Sequence, residues 1–247
     1  MNIASIPVGS LVWFGGLDDE DLSWRKVTPE NDLICLRHAY RCFDMREPDN
    51  KNGSRRNHGN NFYPHSNIRL WLNSDSDFWY APQHDADNGP VKHPWYRGSA
   101  VAGFLSGFSS EERAAIIPRA ITVGIPRGSR GDYKAPVQLE DLVTLPSVSE
   151  FGFDSPFEDC DEGDAIPNLR EYAGTYRTSI MTRTGSSRST CSVVCASDLT
   201  TLEVYCTNNT ELCPMLRLNP DTEFTRDGGE YYFSSKAAPT LADILFA

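Results

Sequence analysis

The sequence predicts one α+β domain over residues 1–247 in which strands dominate. Short apolar or alternating runs recur along the chain, 18 Gly and 16 Pro punctuate them, and only a few capping signatures announce helices. A hydrophobic content of 39%, with 11% aromatic residues, is enough for a ring-rich core.

Ser10–Phe14, Trp24–Val27 and Leu33–Leu36 read as the first strands, separated by Gly15-Gly16 and Pro29. Arg46–Asn61 (REPDNKNGSRRNHGNN) reads as a surface loop by composition. Ser66 caps a predicted helix whose inner face is Ile68, Trp71 and Leu72. Ser109 and Glu112 form a capping box for a second helix that Pro118 ends. Between the two lies a long loop, residues 75–102, whose length marks it as functional or disordered and whose rings argue against pure disorder. Strands follow at Ile121–Val123 and Leu139–Leu145, and Ser147 with Glu150 repeats the capping-box pattern. Residues 154–168 form an acidic loop. Ser179–Arg183, Cys191–Val194, Leu202–Cys206, Met215–Leu218 and Tyr231–Phe233 close the chain as strands. In the tail, residues 236–247, Leu241, Ile244, Leu245 and Phe246 make an apolar patch suited to docking.

The net charge of −11 argues against nucleic-acid binding, which needs a basic footprint. No apolar run is long enough to insert in a membrane, and MNIASIPVGSLVWFGG lacks the basic and apolar regions of a signal peptide. The seven cysteines are odd in number and lack a CxxC, so they are expected as thiols filling the core, with pairing left open for a protein outside the cell.

Three groups of residues bear on chemistry. His65 and Ser66 suggest a base and a nucleophile, but a capping Ser has its hydroxyl engaged and no orienting acid stands nearby in sequence. The helix reading has Ser66 cap, Trp71 pack, and Arg69 and Asn73 tie neighbouring loops. Calcium is the one cofactor considered: Asp159–Asp164, Asn73 with Asp75 and Asp77, and Asp85 with Asp87 and Asn88 alternate oxygens without the spacing of a calcium loop. No metal or other cofactor is therefore assigned, with calcium kept as a weak alternative. Trp79, Tyr80, His84, Asp85, Asp87, Trp95 and Tyr96 gather rings and carboxylates in the 75–102 loop. They suit a sugar, a protein partner, or the sealing of the loop onto the domain.

In this order the landmarks resemble an uncharacterised domain-of-unknown-function family found in clostridial and gut bacterial genomes and their phages. The resemblance rests on Gly9-Ser10 with Trp24–Val27, and above all on Ser66–Asn73, which fits S-x-I-R-x-W-L-N. It continues through Phe108–Ile116, Asp141–Val143 with Ser147 and Glu150, Met181–Thr184, and Pro214–Leu218 with Arg217. It implies a C-type-lectin-like fold: a mixed, mainly antiparallel sheet with two short helices and long loops. That fold serves phage receptor-binding proteins, adhesins and formylglycine-generating enzymes, so it leaves function open.

The expected function is a non-enzymatic binding or structural module of a phage virion, in its tail, fibre or capsid surface, made in the host cytoplasm. It would bind a host-surface glycan or protein, or a neighbouring virion subunit, within an oligomer or larger assembly. The alternatives are an enzyme with its site in the 75–102 loop and a bacterial surface adhesin.

Overall fold

The computed structural model describes residues 1–18, 20–36, 39–45, 53–79, 101–129, 133–158, 160–175 and 178–234. β1 (Leu11–Leu17), β2 (Glu20–Lys26) and β3 (Asp32–Cys35) form an antiparallel meander. It continues into β13 (Met215–Leu218), whose far side pairs end to end with β8 (Val143–Thr144) and β5 (Ile116–Ile117). On the other side of β1 lie β15 (Glu230–Phe233), in parallel, and β14 (Phe224–Asp227). These eight strands are the larger sheet.

A second sheet runs in the order β11 (Thr201–Tyr205), β10 (Ser192–Ala196), β9 (Ile180–Gly185), β12 (Thr210–Leu212), β4 (Ala39–Arg41). A separate hairpin joins β6 (Arg119–Val123) to β7 (Val137–Asp141). The four α-helices among the described residues are α1 (Gly53–His58), α2 (Asn67–Leu72), α3 (Ser110–Ala115) and α4 (Leu169–Ala173). None is long and apolar enough to cross a membrane.

The α+β, C-type-lectin-like expectation is corrected here: the chain is mostly β, in several sheets. Each helix has only five or six residues, too few to form a layer of its own. The capping signatures are real, but a cap fixes where a helix starts and says nothing of its length. The helix begun at Ser109 stops at Ala115, because Ile116 and Ile117 pair with Leu218 and Arg217 of β13 before Pro118 is reached. At Ser147 the capping box closes a turn instead: Glu150 accepts the Ser147 N–H and the Ser147 hydroxyl accepts the Glu150 N–H. The predicted strand Leu139–Leu145 breaks at Leu142 into β7 and β8, since the Asn73 side chain takes the N–H groups of Leu142 and Val143. The predicted loop Arg46–Asn61 contains α1 and ends on buried Asn60 and Asn61. The tail, residues 236–247, lies outside the described residues.

All four residues of β3 are buried, because both faces of the sheet are covered there. Leu33 and Cys35 face the main core, and Ile34 faces a smaller one with Met215, Phe151 and Leu169 of α4. The main core is built on rings. Phe104 meets Trp24, Trp71 and Phe108, and Phe14 meets Phe108 and Phe233 edge-on, the last pair at 5.2 Å.

Gly15 sets the approach of this ring cluster to β1. Its φ of 69° lies in the left-handed region, where the β1–β2 register shifts, and its N–H donates to Glu112 Oε1 at 2.9 Å. A Cβ there would stand 2.2 Å from the Phe108 ring. Gly15→Ala is therefore expected to destabilise by roughly 3 kcal/mol, through backbone strain together with overpacking. A denaturation midpoint within experimental error of wild type would contradict this account.

Candidate functional site

Where the two sheets and the β6–β7 hairpin meet, buried charges alternate in a chain. Arg217 of β13 donates from Nε and Nη2 to the two oxygens of Asp32 at 2.8 and 2.9 Å. Asp32, at the start of β3, also receives the Thr28 hydroxyl at 3.0 Å and faces Arg119 Nε at 3.5 Å. Arg119, at the start of β6, donates from Nη2 to Glu150 Oε1. Glu150 Oε2 accepts from Arg183 Nη1 at 2.5 Å and from the Ser147 N–H at 2.7 Å. Arg183, in the middle of β9, further bonds the carbonyls of Leu145 and Glu162. The Glu162 carboxylate takes the Gly124 N–H at 2.9 Å and the Thr184 hydroxyl.

Burial pushes the Glu150 carboxyl up, but the Arg183 and Arg119 guanidiniums outweigh it and hold it at about 2. Burial also pushes Glu162 up and wins there, against Arg183 and the bonds from Thr184 and Gly124.

Over this chain opens a cleft of about 460 Å³. Arg119, Glu150, Glu162 and Arg183 form its floor, and Thr28, Glu30, Thr122, Asp161 and Asp164 its rim. Two carboxyls shifted in opposite directions within one cleft are the pattern of an acid–base pair. Here, however, all four carboxylate oxygens are held by protein donors, and the residues are only 2% and 1% exposed. The floor fixes shape, and the chemistry available to a ligand is at the rim, whose exposed carboxylates accept hydrogen bonds.

The residues singled out in the sequence fall into three places. Those of the helix block bind one another or the neighbouring strands. The Ser66 hydroxyl donates to the Tyr63 carbonyl at 2.8 Å and accepts from the Arg69 N–H, while His65 Nε2 meets the Tyr133 hydroxyl at 2.8 Å. The two are therefore directed to different partners. Arg69 grips Asp141 with Nε and Nη2, and Asn73 bonds the Arg69 and Val143 carbonyls as well as the two N–H groups of β8's approach. Trp71 is buried, its indole N–H on the Ala102 carbonyl at 2.9 Å. Ser109 and Glu112 cap α3, and Glu150 and Arg217 belong to the ionic chain.

In the 75–102 loop, Trp79 is buried and paired with Val101, so its ring is not presented to a ligand. Its neighbour Phe78 is 71% exposed instead. Tyr80, His84, Asp85, Asp87, Trp95 and Tyr96 lie outside the described residues, as does Asp159 of the acidic loop. Among the described residues no three His, Cys, Asp or Glu side chains are placed to hold a metal ion. All seven cysteines are buried thiols, and burial raises Cys195 to about 12.

The sequence reading missed Asp32, Arg119 and Glu162. The available signal was a charge placed inside an apolar strand run, in NDLICL and PRAITV. Such a charge is buried with its strand and needs a partner.

Residues 30–219 match a family described as a domain of unknown function, DUF6273. The chain belongs to the DUF6273 family. Comparison with curated proteins and with solved structures found no match. Every member of the ionic chain, from Asp32 to Arg217, falls within the matched residues, whereas β1, β2, β14 and β15 fall outside them. In this DUF6273 chain the resemblance blocks also prove to be contact partners. Arg69 of the Ser66–Asn73 block holds Asp141 of a later one, and Arg183-Thr184, which survive from the Met181–Thr184 block, meet Glu150 and Glu162.

The two glutamates are predicted to respond oppositely to substitution. Glu150→Gln leaves two buried guanidiniums short of a counter-charge and should cost about 3–5 kcal/mol at neutral pH. Glu162→Gln should be neutral or stabilising there, since its charged form is the disfavoured one. The lowered Glu150 contributes stability that is full above its ordinary value of 4.5 and fades as pH falls towards 2, about 3 kcal/mol in all. The raised Glu162 works the other way: its contribution is present below 4.5 and is lost as pH rises through its folded value. Urea midpoints of both variants across pH 2–7 test this. Equal losses, or an unchanged acid limb in Glu150→Gln, would refute it.

Proposed function

We propose that the protein is a non-enzymatic binding and structural module of a phage virion, in the tail, fibre or capsid surface. In this reading it contacts a neighbouring virion subunit or a host-surface glycan or protein. The observation that carries the proposal is what the second sheet leaves exposed. Its edge strands β11 and β4 carry Leu202 and Tyr205 on one side and Tyr40 on the other, all more than two-fifths exposed, with Leu199 beside β11 at 86%. Among the described residues no further strand pairs with these outer edges, and large apolar side chains on such edges favour association with another protein surface. The interior argues in the same direction. The charged side chains of the ionic chain hold one another and the Ser66 hydroxyl holds backbone, which suits a rigid platform better than a reacting centre. The acceptor rim of the cleft (Glu30, Asp161, Asp164) offers hydroxyl groups of a glycan a place to donate. The virion assignment itself rests on the phage-associated family that the sequence resembles.

The expected outcome is that the protein co-purifies with phage particles and that Leu202→Asp, on the exposed edge, abolishes incorporation without lowering the melting temperature. On a glycan array, Glu30→Gln with Asp161→Asn and Asp164→Asn should weaken any signal the wild type gives. Absence from purified particles together with a blank array would sink the proposal.

A further inference from the structure

We infer that Cys191 and Cys206 form a reversible disulfide that clasps the base of the β10–β11 hairpin. The ladder places the two cysteines opposite each other. Ser192 pairs with Tyr205 and Val193 with Val204, so the next pair outward is Cys191 with Cys206. The Cys206 N–H donates to the Cys191 carbonyl at 2.9 Å, which makes this a hydrogen-bonded pair. In such a pair the Cα atoms stand about 5.5 Å apart and the side chains share a face, within the span a disulfide bridges.

The pair also has room to adjust. It lies just beyond the strand ends, and only one of its two ladder bonds is made. The Cys191 N–H goes to the Ser189 hydroxyl at 3.2 Å, and the Cys206 carbonyl accepts the Asp44 N–H at 3.1 Å. A bond closed at a hydrogen-bonded pair carries some strain, and strained disulfides are the readily reduced ones.

The other cysteines are placed differently. Cys195 lies within β10, four residues on from Cys191 and about 13 Å away at strand rise. Cys35 and Cys213 belong to the two separate cores on opposite faces of the larger sheet. Cys42 is a competitor: the segment it begins reaches Cys206 through Asp44, and both thiols are buried.

The oxidant is a small-molecule disulfide such as oxidised glutathione. One cysteine thiolate attacks it, forming a mixed disulfide and releasing one glutathione thiol. The second cysteine then displaces the other, so the protein loses two hydrogens and the oxidant gains them. Closure would fix the outer strand that presents Leu202 and Tyr205.

The test oxidises the intact protein with glutathione disulfide, both in the native state and during refolding, and maps the product after cleavage at arginine and glutamate. Cleavage after Arg188, Glu203 and Glu211 puts Cys191 and Cys206 on separate peptides. The expected product is those peptides joined and two hydrogens lighter, with fragmentation placing the bond on Cys191 rather than Cys195. Dithiothreitol should reverse it, Cys42→Ser should leave it intact, and the melting temperature should rise by roughly 5 °C. Full alkylation of both thiols after either treatment, or a Cys206 bond to Cys42, would overturn the inference.

Discussion

Glu150 accepts from two buried guanidiniums at once, one on the β6–β7 hairpin and one on the second sheet, and the relative position of three sheets depends on that double contact. Arg119 carries the link onward through Asp32 to Arg217 in the larger sheet. Signs alternate along the chain, so Asp32 and Glu150 each lie between two arginines and Arg119 between two carboxylates. This is the condition under which charges tolerate burial, since the attraction in a poorly polarisable interior offsets the loss of water only when geometry and hydrogen bonds are complete. The constraint is severe for Arg183, which is 1% exposed in the middle of a strand buried at all six positions. Its Nη1 and Nη2 are held by a carboxylate and two carbonyls, whereas its buried Nε has no hydrogen-bond partner among the described residues.

The same demand explains why β9 reads so polar for a core strand. Thr182 bonds the Val194 carbonyl at 2.6 Å, and Thr184 serves both Glu162 and the Val148 N–H. A strand of aliphatic residues would pack better but would take Arg183 from Glu150 and the Thr184 hydroxyl from Glu162. The architecture thus exchanges some apolar burial for a fixed angle between layers, and the cleft over Glu150 takes its shape from that fixed angle.

What could be read from sequence was the local part. Caps at Ser66 and Ser109 involve residues three apart, and the strand positions follow from alternation, so most elements were placed to within a few residues. Helix length, the break at Leu142 and the turn at Ser147 were not legible, because partners remote in sequence decide them: β13 for Ile116, Asn73 for Leu142, and Arg119 with Arg183 for Glu150. The site was legible in fragments. Glu150 and Arg217 stood out as fingerprint residues, yet their partners Asp32 and Arg119 looked like ordinary strand-edge charges. Nothing in a linear string pairs residues 32, 119, 150, 183 and 217. Trp79 is a related case: its place in a long loop did not reveal that its backbone pairs with Val101 and that its side chain is buried.

The part of the chain outside the family match is held by different forces. β1, β2, β14 and β15 attach through ring contacts and through donors that satisfy carbonyls. Trp24 Nε1 bonds the Phe14 carbonyl at 2.7 Å, and buried Lys26 donates to the carbonyls of Ile3 and Ile6 at 2.9 Å each. Glu112 joins the two regions, since one of its oxygens caps α3 and the other takes the Gly15 N–H of β1. The inner unit is an ion-locked frame whose strength depends on carboxylate charge, and the outer strands are an apolar layer whose strength depends on packing. Acid therefore acts on the frame through Glu150, whose charge between Arg119 and Arg183 is lost only as pH falls towards 2. Substitutions at a ring position of β1 such as Phe14, which packs on Phe108, Phe224 and Phe233, act first on the outer layer.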